Sequence, residues 1–264
     1  MSQGIYSSRL VTSDEDLQGF LEMVSPIGIR GKLIRVGGGE PGTDDGDGGY
    51  LIPDDLKDIE ACFSPGVETN ATFERELAER GIPSCLADYS VETPPIDNDL
   101  FRFEKKYLGI WNDEVHMRLE DWVNRNTADR DGDLLLQMDI EGAEFSVIID
   151  TPIDIFKRFR IMVIEFHAMD LLFSGQVFSN INQVFEKLTK EFSVVHIHPN
   201  NSGSVLSRPP YEIPAVLEFT FYRKDRVESS EEGLIFPHPL DIPNDSSKKD
   251  ISLPGCWTRT LPAK

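Results

Sequence analysis

The sequence predicts an α/β fold, a doubly wound and mostly parallel sheet with helices on both of its faces. Short apolar runs such as IEACFSPG (59–66) and DLLLQM (133–138) alternate with longer amphipathic stretches, which is the pattern of βαβ units. The last two apolar runs, SVVHIHPNN (193–201) and AVLEFTFYRKD (215–225), are joined by a proline-containing loop without a helical pattern. These two runs therefore predict an antiparallel pair of strands at one edge of the sheet.

The individual helices and strands follow from local patterns. A helix is predicted from Ser13, as its N-cap, to Val24, and the strand KLIRV (32–36) follows it. Glycine and acidic residues dominate 37–50, which predicts a loop without regular structure. Further strands are predicted at 59–66, 84–90, 101–110, 133–138, 160–167, 193–201 and 215–225. Further helices are predicted at 70–81 with Asn70 as the cap, at 117–126, from the DIEG segment through Phe159, and at 177–192.

The chain is predicted to form one domain in three parts. Residues 1–57 supply an N-terminal helix and a Gly/Asp-rich loop that pack on the core, and residues 58–225 form the core itself. Residues 226–264 are rich in proline and lack apolar periodicity, so we expect a loop-rich extension that wraps the surface.

The composition limits the partners. Lys and Arg number 26 and Asp and Glu number 46, so the net charge is 26 − 46 = −20. This balance argues against nucleic acid and anionic membranes as partners, because both bind a positive surface. The three cysteines follow no metal-ligand spacing, and neither a signal-peptide pattern nor a membrane-spanning apolar run is present. We therefore expect a cytoplasmic protein in a reducing compartment.

Polar residues gather where the predicted strands end. The carboxyl ends of parallel strands meet at one edge of a sheet, and ligands bind there. The polar residues and the turn glycine expected at that edge are Ser64, Gly66, Glu68, Asn70, Asp88, Asp139, Glu141, Glu165, His167 and His198. Asp88 follows Gly66 by 88 − 66 = 22 residues, the spacing at which an acid binds ribose hydroxyls.

The turn after the first core strand indicates the kind of nucleotide. A dinucleotide site uses G-x-G-x-x-G so that pyrophosphate can lie on bare amides, whereas this turn has one glycine and places Glu68 beside it. A carboxylate there would repel pyrophosphate. A cationic nucleoside without phosphate fits better, and S-adenosylmethionine is such a ligand. An ordinary tight turn with a surface acid is the alternative interpretation.

Seven segments together resemble the FkbM-like S-adenosylmethionine-dependent methyltransferases. They are RVGGGEPGTDDGDGGYLIPDDL, FSPGVETNATFERELAERG, KKYLGIWNDEVHMRLEDWV, LLQMDIEGAEFSVI, VIEFH, VHIHPNN and LEFTFYRKD. The resemblance runs from about Arg35 to Asp225, and DIEGAE and DGGY are its most specific parts. It implies the class I methyltransferase sheet of seven strands with an antiparallel last strand, and O-methylation of a sugar, a polysaccharide or a natural product. Within the matching loop, Arg35, Asp47 and Tyr50 are expected to cover the cofactor or the acceptor.

Methyl transfer to a hydroxyl requires in-line alignment and removal of a proton, by a histidine base or with the help of a metal ion. We expect Asp139, His167 and His198 to be catalytic. As a hypothesis, Asp139, Glu165 and His198 bind Mg²⁺, Mn²⁺, Fe²⁺ or Zn²⁺, with His167 as the base or a fourth ligand. Glu144 is expected only to stabilise a helix N-terminus, and His196 to be structural.

Two other functions agree with the same residues. One is a metal-dependent hydrolase or isomerase that uses Asp139, Glu165 and His198 without S-adenosylmethionine. The other is a methyltransferase fold that binds ligands without catalysis. For the enzyme, the expected partner is a small-molecule or glycan acceptor.

Overall fold

The structure is a computed structural model that describes residues 10–39, 46–128, 131–230 and 234–258. The helices are α1 (Asp14–Val24), α2 (Thr72–Glu79), α3 (Leu119–Asn126), α4 (Glu144–Asp150), α5 (Ile153–Phe156) and α6 (Phe178–Thr189). The strands are β1 (Leu33–Gly37), β2 (Gly49–Pro53), β3 (Ile59–Pro65), β4 (Ser84–Ala87), β5 (Phe101–Glu104), β6 (Tyr107–Gly109), β7 (His116–Arg118), β8 (Asp133–Met138), β9 (Phe159–Phe166), β10 (Phe192–Pro199), β11 (Val205–Arg208), β12 (Tyr211–Pro214) and β13 (Leu217–Arg223). Short 3₁₀ turns lie at Met169–Phe173, Lys224–Arg226 and Gly255–Trp257.

The central sheet has seven strands in the order β10-β13-β9-β8-β3-β4-β5. The pairs among β9, β8, β3, β4 and β5 are parallel, and β13 runs antiparallel to both of its neighbours. The predicted doubly wound sheet with an antiparallel last strand is confirmed. The strand β13 lies on the inner side of the antiparallel pair and β10 lies at the edge, so the carboxyl ends of β3, β4, β8, β9 and β10 share one rim.

The N-terminal helix forms as predicted. The Ser13 side chain accepts a hydrogen bond from Asp16 N at 3.1 Å, which caps α1. The buried face of α1 packs on α6, with Phe20 and Phe185 edge to face at 5.1 Å. Within the described residues, no helix is both long and apolar enough to cross a bilayer.

The predicted loop at 37–50 is partly wrong, because its last residues begin β2, which pairs with β1 from Gly37↔Gly49 onward. Glycine favours the hairpin here through its lack of a side chain: Gly37 has φ +75°, and a Cβ on it would lie 2.4 Å from Gly48 O. Backbone pairing therefore outweighs the low strand propensity of glycine. Residues 40–45 of the predicted loop lie outside the described residues.

Two further boundaries differ from the prediction. The predicted strand at 101–110 is two strands, because after β5 the chain leaves the central sheet and β6 pairs with β7 in a separate small sheet. The predicted helix through Phe159 is also wrong. It is divided into α4 and α5, since Pro152 has no N–H to continue the ladder, and it ends at Phe156, so that Phe159 is already the first residue of β9.

The C-terminal extension contributes core contacts although it has little regular structure. Trp257 is fully buried and packs against Phe20 and Phe219. Its indole nitrogen donates to Glu212 O at 3.0 Å. These contacts attach residues 234–258 to α1 and to the antiparallel edge of the sheet.

Candidate functional site

The turn after β3 joins the two strand ends that carry acids. Gly66 has φ +88°, and a Cβ on it would lie 1.5 Å from Asp139 O. The backbones also bond directly, from Asp139 N to Pro65 O at 3.3 Å. Glycine is therefore required at position 66 for the approach of β3 to β8, and not only for the approach of a ligand that the sequence predicts.

Asp88 stabilises the same turn. One of its oxygens accepts Glu68 N at 2.8 Å, and the other accepts the amide and the hydroxyl of Ser90, both at 2.7 Å. Glu68 has φ +40°, a left-handed conformation that the Asp88 carboxylate helps to hold. The predicted ribose-binding acid thus also orders the wall of the cavity that it faces.

Two cavities adjoin this turn. The larger, about 420 Å³, lies between the turns after β3, β4 and β8 and the small sheet of β6 and β7, and its volume falls in the range of small-molecule sites. The smaller, about 70 Å³, lies under the β1–β2 hairpin. Residues lining the larger cavity include Gly66, Glu68, Asp88, Tyr107, His116, Asp139 and Glu141. Residues lining the smaller cavity include Asp47, Tyr50, Glu68, Asn70 and Asp139.

Most of the predicted cofactor residues thus line one of the two cavities, and Asp139 stands between them. Two predicted residues do not line either one. Ser64 is fully buried in contact with Gln137 and Glu74. Arg35 donates to Gly46 O at 2.6 Å and so braces the hairpin.

His167 lies beside Asp139 and is held by Glu144. The Glu144 Oε1 atom accepts Ile140 N at 3.1 Å and Gly142 N at 3.0 Å, and it lies 3.2 Å from His167 Nδ1. Because Glu144 is fully buried, this oxygen fixes the orientation of the imidazole.

The sequence predicts that Glu144 only stabilises a helix N-terminus, and this prediction leaves out its contact with His167. It does begin α4, but it is also the partner of His167. Glu144 precedes Val147 and Ile148 by three and four residues, and both are fully buried. That spacing places Glu144 on the buried face of α4, and this signal was available in the sequence.

The other ring nitrogen of His167 faces acids. The Nε2 atom lies 3.4 Å from Glu141 Oε2, 3.5 Å from Glu165 Oε1 and 4.0 Å from Asp139 Oδ1. Burial of the ring acts to lower the pKa of His167, but the hydrogen bond and charge of Glu144 and the charges of Asp139 and Glu141 outweigh it. The net effect raises the pKa of His167 above its ordinary value.

Asp139 and Glu165 hold their protons more strongly than ordinary carboxyls. Burial, with smaller contributions from the charges of Glu141 and Glu144, raises the pKa of Asp139 to about 7, although His167 opposes this shift. Burial and the neighbouring Asp139 charge also raise the pKa of Glu165. The Asp139 Oδ1 atom is buried and has no hydrogen-bond partner among the described residues. This oxygen is therefore available to a ligand.

His198 lies apart from the other predicted catalytic residues. Its Nδ1 atom is 3.4 Å from Glu218 Oε2, on the neighbouring strand β13. Among the described residues, the group whose possible metal-ligand atoms all lie within 4.8 Å of one another is Asp139, Glu144 and His167, without the predicted ligands Glu165 and His198. His196, which was expected to be structural, lies 2.9 Å from Asp241 Oδ1.

The fold and this rim define a class of protein. A seven-stranded sheet with this strand order, a glycine turn after its first strand and acids at the next strand ends is the class I methyltransferase fold. Residues 90–192 match the family model described as the Methyltransferase FkbM domain, which confirms the predicted resemblance. The matched segment includes Asp139, Glu144, Glu165 and His167, so this part of the chain is similar to the FkbM methyltransferases. No curated protein matches the chain significantly.

Proposed function

We propose that the protein is an S-adenosylmethionine-dependent O-methyltransferase that acts on a hydroxyl of a sugar, a polysaccharide or a natural product. One observation carries this proposal. A cavity of about 420 Å³ at the carboxyl ends of the strands is lined by Asp88 and Asp139, and the buried His167–Glu144 pair lies beside Asp139. The matched methyltransferase domain supports the same chemistry.

The residues of the cavity fit the cofactor. Its adenosine has ribose hydroxyls that Asp88 can accept, and Tyr107 and His116 offer flat ring faces to the base. Its positive charge suits Asp139, whose Oδ1 atom is buried without a described partner. When bound, S-adenosylmethionine supplies the electrophilic methyl group of the reaction.

His167 is the proposed base. Glu144 holds Nδ1, so Nε2 is left to take the proton of the acceptor hydroxyl. Glu141, Glu165 and Asp139 lie around Nε2, and the charges of Glu141 and Asp139 favour the protonated ring that results. This arrangement corresponds to a base with an orienting carboxylate, and proton transfer of this kind contributes about 10²- to 10⁴-fold to a rate.

A metal-assisted variant of the reaction uses the same residues. The carboxylate and imidazole atoms of Asp139, Glu144 and His167 are close enough to bind one divalent ion, and Mg²⁺, Mn²⁺, Fe²⁺ or Zn²⁺ accepts such ligands. The Glu144 Oε1 atom, however, already meets three hydrogen-bond donors. A metal ion on this oxygen would displace those donors, which favours the base-and-orienter arrangement, whereas Glu144 Oε2 is buried without a hydrogen-bond partner among the described residues. We therefore expect methyl transfer to persist after dialysis against a strong chelator, and loss that Mg²⁺ or Mn²⁺ restores would establish the metal-assisted variant.

Cofactor binding is the first test of the proposal. Isothermal titration with S-adenosylhomocysteine is expected to show one site per chain, with weaker binding in Asp88→Ala than in a matched exposed variant such as Asp154→Ala. Absence of binding at high protein concentration would sink the methyltransferase proposal and favour a hydrolase or isomerase. Binding without transfer of labelled methyl groups to any of a panel of hydroxylated acceptors would instead favour a non-catalytic binding module.

A further inference from the structure

A short piece of the C-terminal extension, residues 241–245, lies between the sheet edge and the β1–β2 hairpin. Two of its residues bond to the end of β10 and the turn that follows. Asp241 Oδ1 lies 2.9 Å from His196 Nε2, and Asp245 exchanges two hydrogen bonds of 2.8 Å with the Asn201 side chain. We call residues 241–245 the C-terminal clamp.

The clamp also bonds to the buried carboxyl of Glu218. Asn244 Nδ2 donates to Glu218 Oε1 at 2.7 Å, and both side chains are buried. Glu218 is the direct cross-strand partner of Glu165, and Glu165 Oε1 lies 3.5 Å from His167 Nε2. Asn244 therefore holds the carboxyl of Glu218, which lies opposite Glu165, the acid that faces His167.

On its other side the clamp contacts the turn before β2. Gly46 N donates to Pro243 O at 2.8 Å. A Cβ on Gly46 would lie 2.5 Å from Ile242 O and 2.6 Å from Pro243 O, so the two backbones touch and only glycine fits. The next residue, Asp47, lines the smaller cavity beside Asp139.

We propose that the C-terminal clamp is a positioning element of the methyltransferase site, which holds the turn carrying Asp47 and the Glu218 carboxyl in place at the same time. The contact with Gly46 and the contact with Glu218 lie on opposite sides of the same five residues. Displacing the clamp at Gly46 is therefore expected to weaken its contact with Glu218 as well. The positioning role rests on the proposed function, whereas the mechanical contact with Gly46 does not.

Gly46→Ala tests the clamp without changing any polar group. The added methyl must push Ile242 and Pro243 away, so amide hydrogen exchange of the peptide 46–53 is expected to accelerate while that of 59–65 in β3 stays slow. The Kd for S-adenosylhomocysteine is expected to rise about tenfold, the effect of one lost buried hydrogen bond. Gly19→Ala is the matched control, because its Cβ meets nothing within 4 Å, and neither measurement should change.

A second pair of variants approaches the clamp from the sheet. Asn244→Ala is expected to raise the Kd as Gly46→Ala does, and Asn244→Gln, which keeps the amide, is expected to restore most of the affinity. Unchanged exchange in Gly46→Ala would overturn the clamp itself. Faster exchange with an unchanged Kd would overturn the positioning role. If the wild-type protein binds no S-adenosylhomocysteine, the proposed function and the positioning role fail together, and the exchange result alone decides whether the clamp holds the turn.

Discussion

The two ends of β8 carry carboxylates in opposite electrostatic situations. At the amino end, Asp133 accepts Arg160 Nε at 2.8 Å and Arg223 Nη1 at 2.6 Å. At the carboxyl end, Asp139 faces His167 across 4.0 Å, and acids supply most of its other charged neighbours. One strand thus joins a charge-balanced rim to a rim with excess negative charge.

The pKa values follow this difference. Burial acts to raise the pKa of Asp133, but the two arginines outweigh it and leave the pKa below its ordinary value. Burial raises the pKa of Asp139 to about 7, because its neighbours do not compensate. A buried acid without compensation is typical of functional sites, whereas a paired acid is typical of structural networks. We therefore expect the amino rim to contribute stability and the carboxyl rim to carry the proposed activity.

The largest expected effect concerns activity at the carboxyl rim. His167→Gln removes the proposed base, so we expect methyl transfer to fall about 10²- to 10⁴-fold on an acceptor that the wild-type protein methylates. Binding of S-adenosylhomocysteine should be kept, since His167 does not line the larger cavity. His116→Gln is the matched control, because His116 lines that cavity without contacting Glu144. His116→Gln should alter cofactor affinity more than turnover. Equal losses of turnover in the two variants would contradict the role of His167 as the base.

The next effect concerns stability at the amino rim. Asp133→Asn leaves Arg160 and Arg223 with less compensation, and because Asp133 is only partly buried we expect a loss of about 2 kcal/mol in the free energy of unfolding. Asp139→Asn removes a carboxyl whose ionisation is disfavoured in the folded state, so the loss should be under about 1 kcal/mol, or the variant should gain stability. Urea unfolding at neutral pH measures both. A greater loss for Asp139→Asn than for Asp133→Asn would contradict the assignment of stability to the amino rim.

The sheet and much of the carboxyl rim could be predicted from sequence because their signals are local. An apolar run that ends in acids fixes the position of Asp139, and the strand alternation around it fixes the neighbours Glu165 and His167. The features that were missed depend on pairing across the fold. Strand β2 forms because β1 lies beside it, and nothing local shows that Glu218 separates His198 from the other site residues.

The smallest expected effect is the pH dependence of stability, and it sharpens the contrast between the two aspartates. The folded-state pKa of Asp139 is raised from 3.8 to about 7, so the folded protein binds more protons in this interval. The cost of ionising Asp139 is therefore absent below about pH 4, grows as the pH rises toward 7 and is complete above it. The pKa of Asp133 is lowered, so its stabilising contribution is present above pH 3.8 and is lost only as the pH falls through the lowered value.

Urea unfolding at a series of pH values between 5 and 7.5 separates these contributions. The free energy of unfolding of Asp139→Asn, relative to wild type, should increase up to about pH 7 and then level off, because the variant no longer carries the cost of ionisation. The difference between Asp133→Asn and wild type should stay constant, since Asp133 is ionised in both the folded and the unfolded chain throughout. Burial also raises the pKa of Glu74 to about 7, so part of the wild-type slope should remain in Asp139→Asn. A flat profile for Asp139→Asn relative to wild type would mean that this carboxyl is compensated after all, and that the two ends of β8 are electrostatically alike.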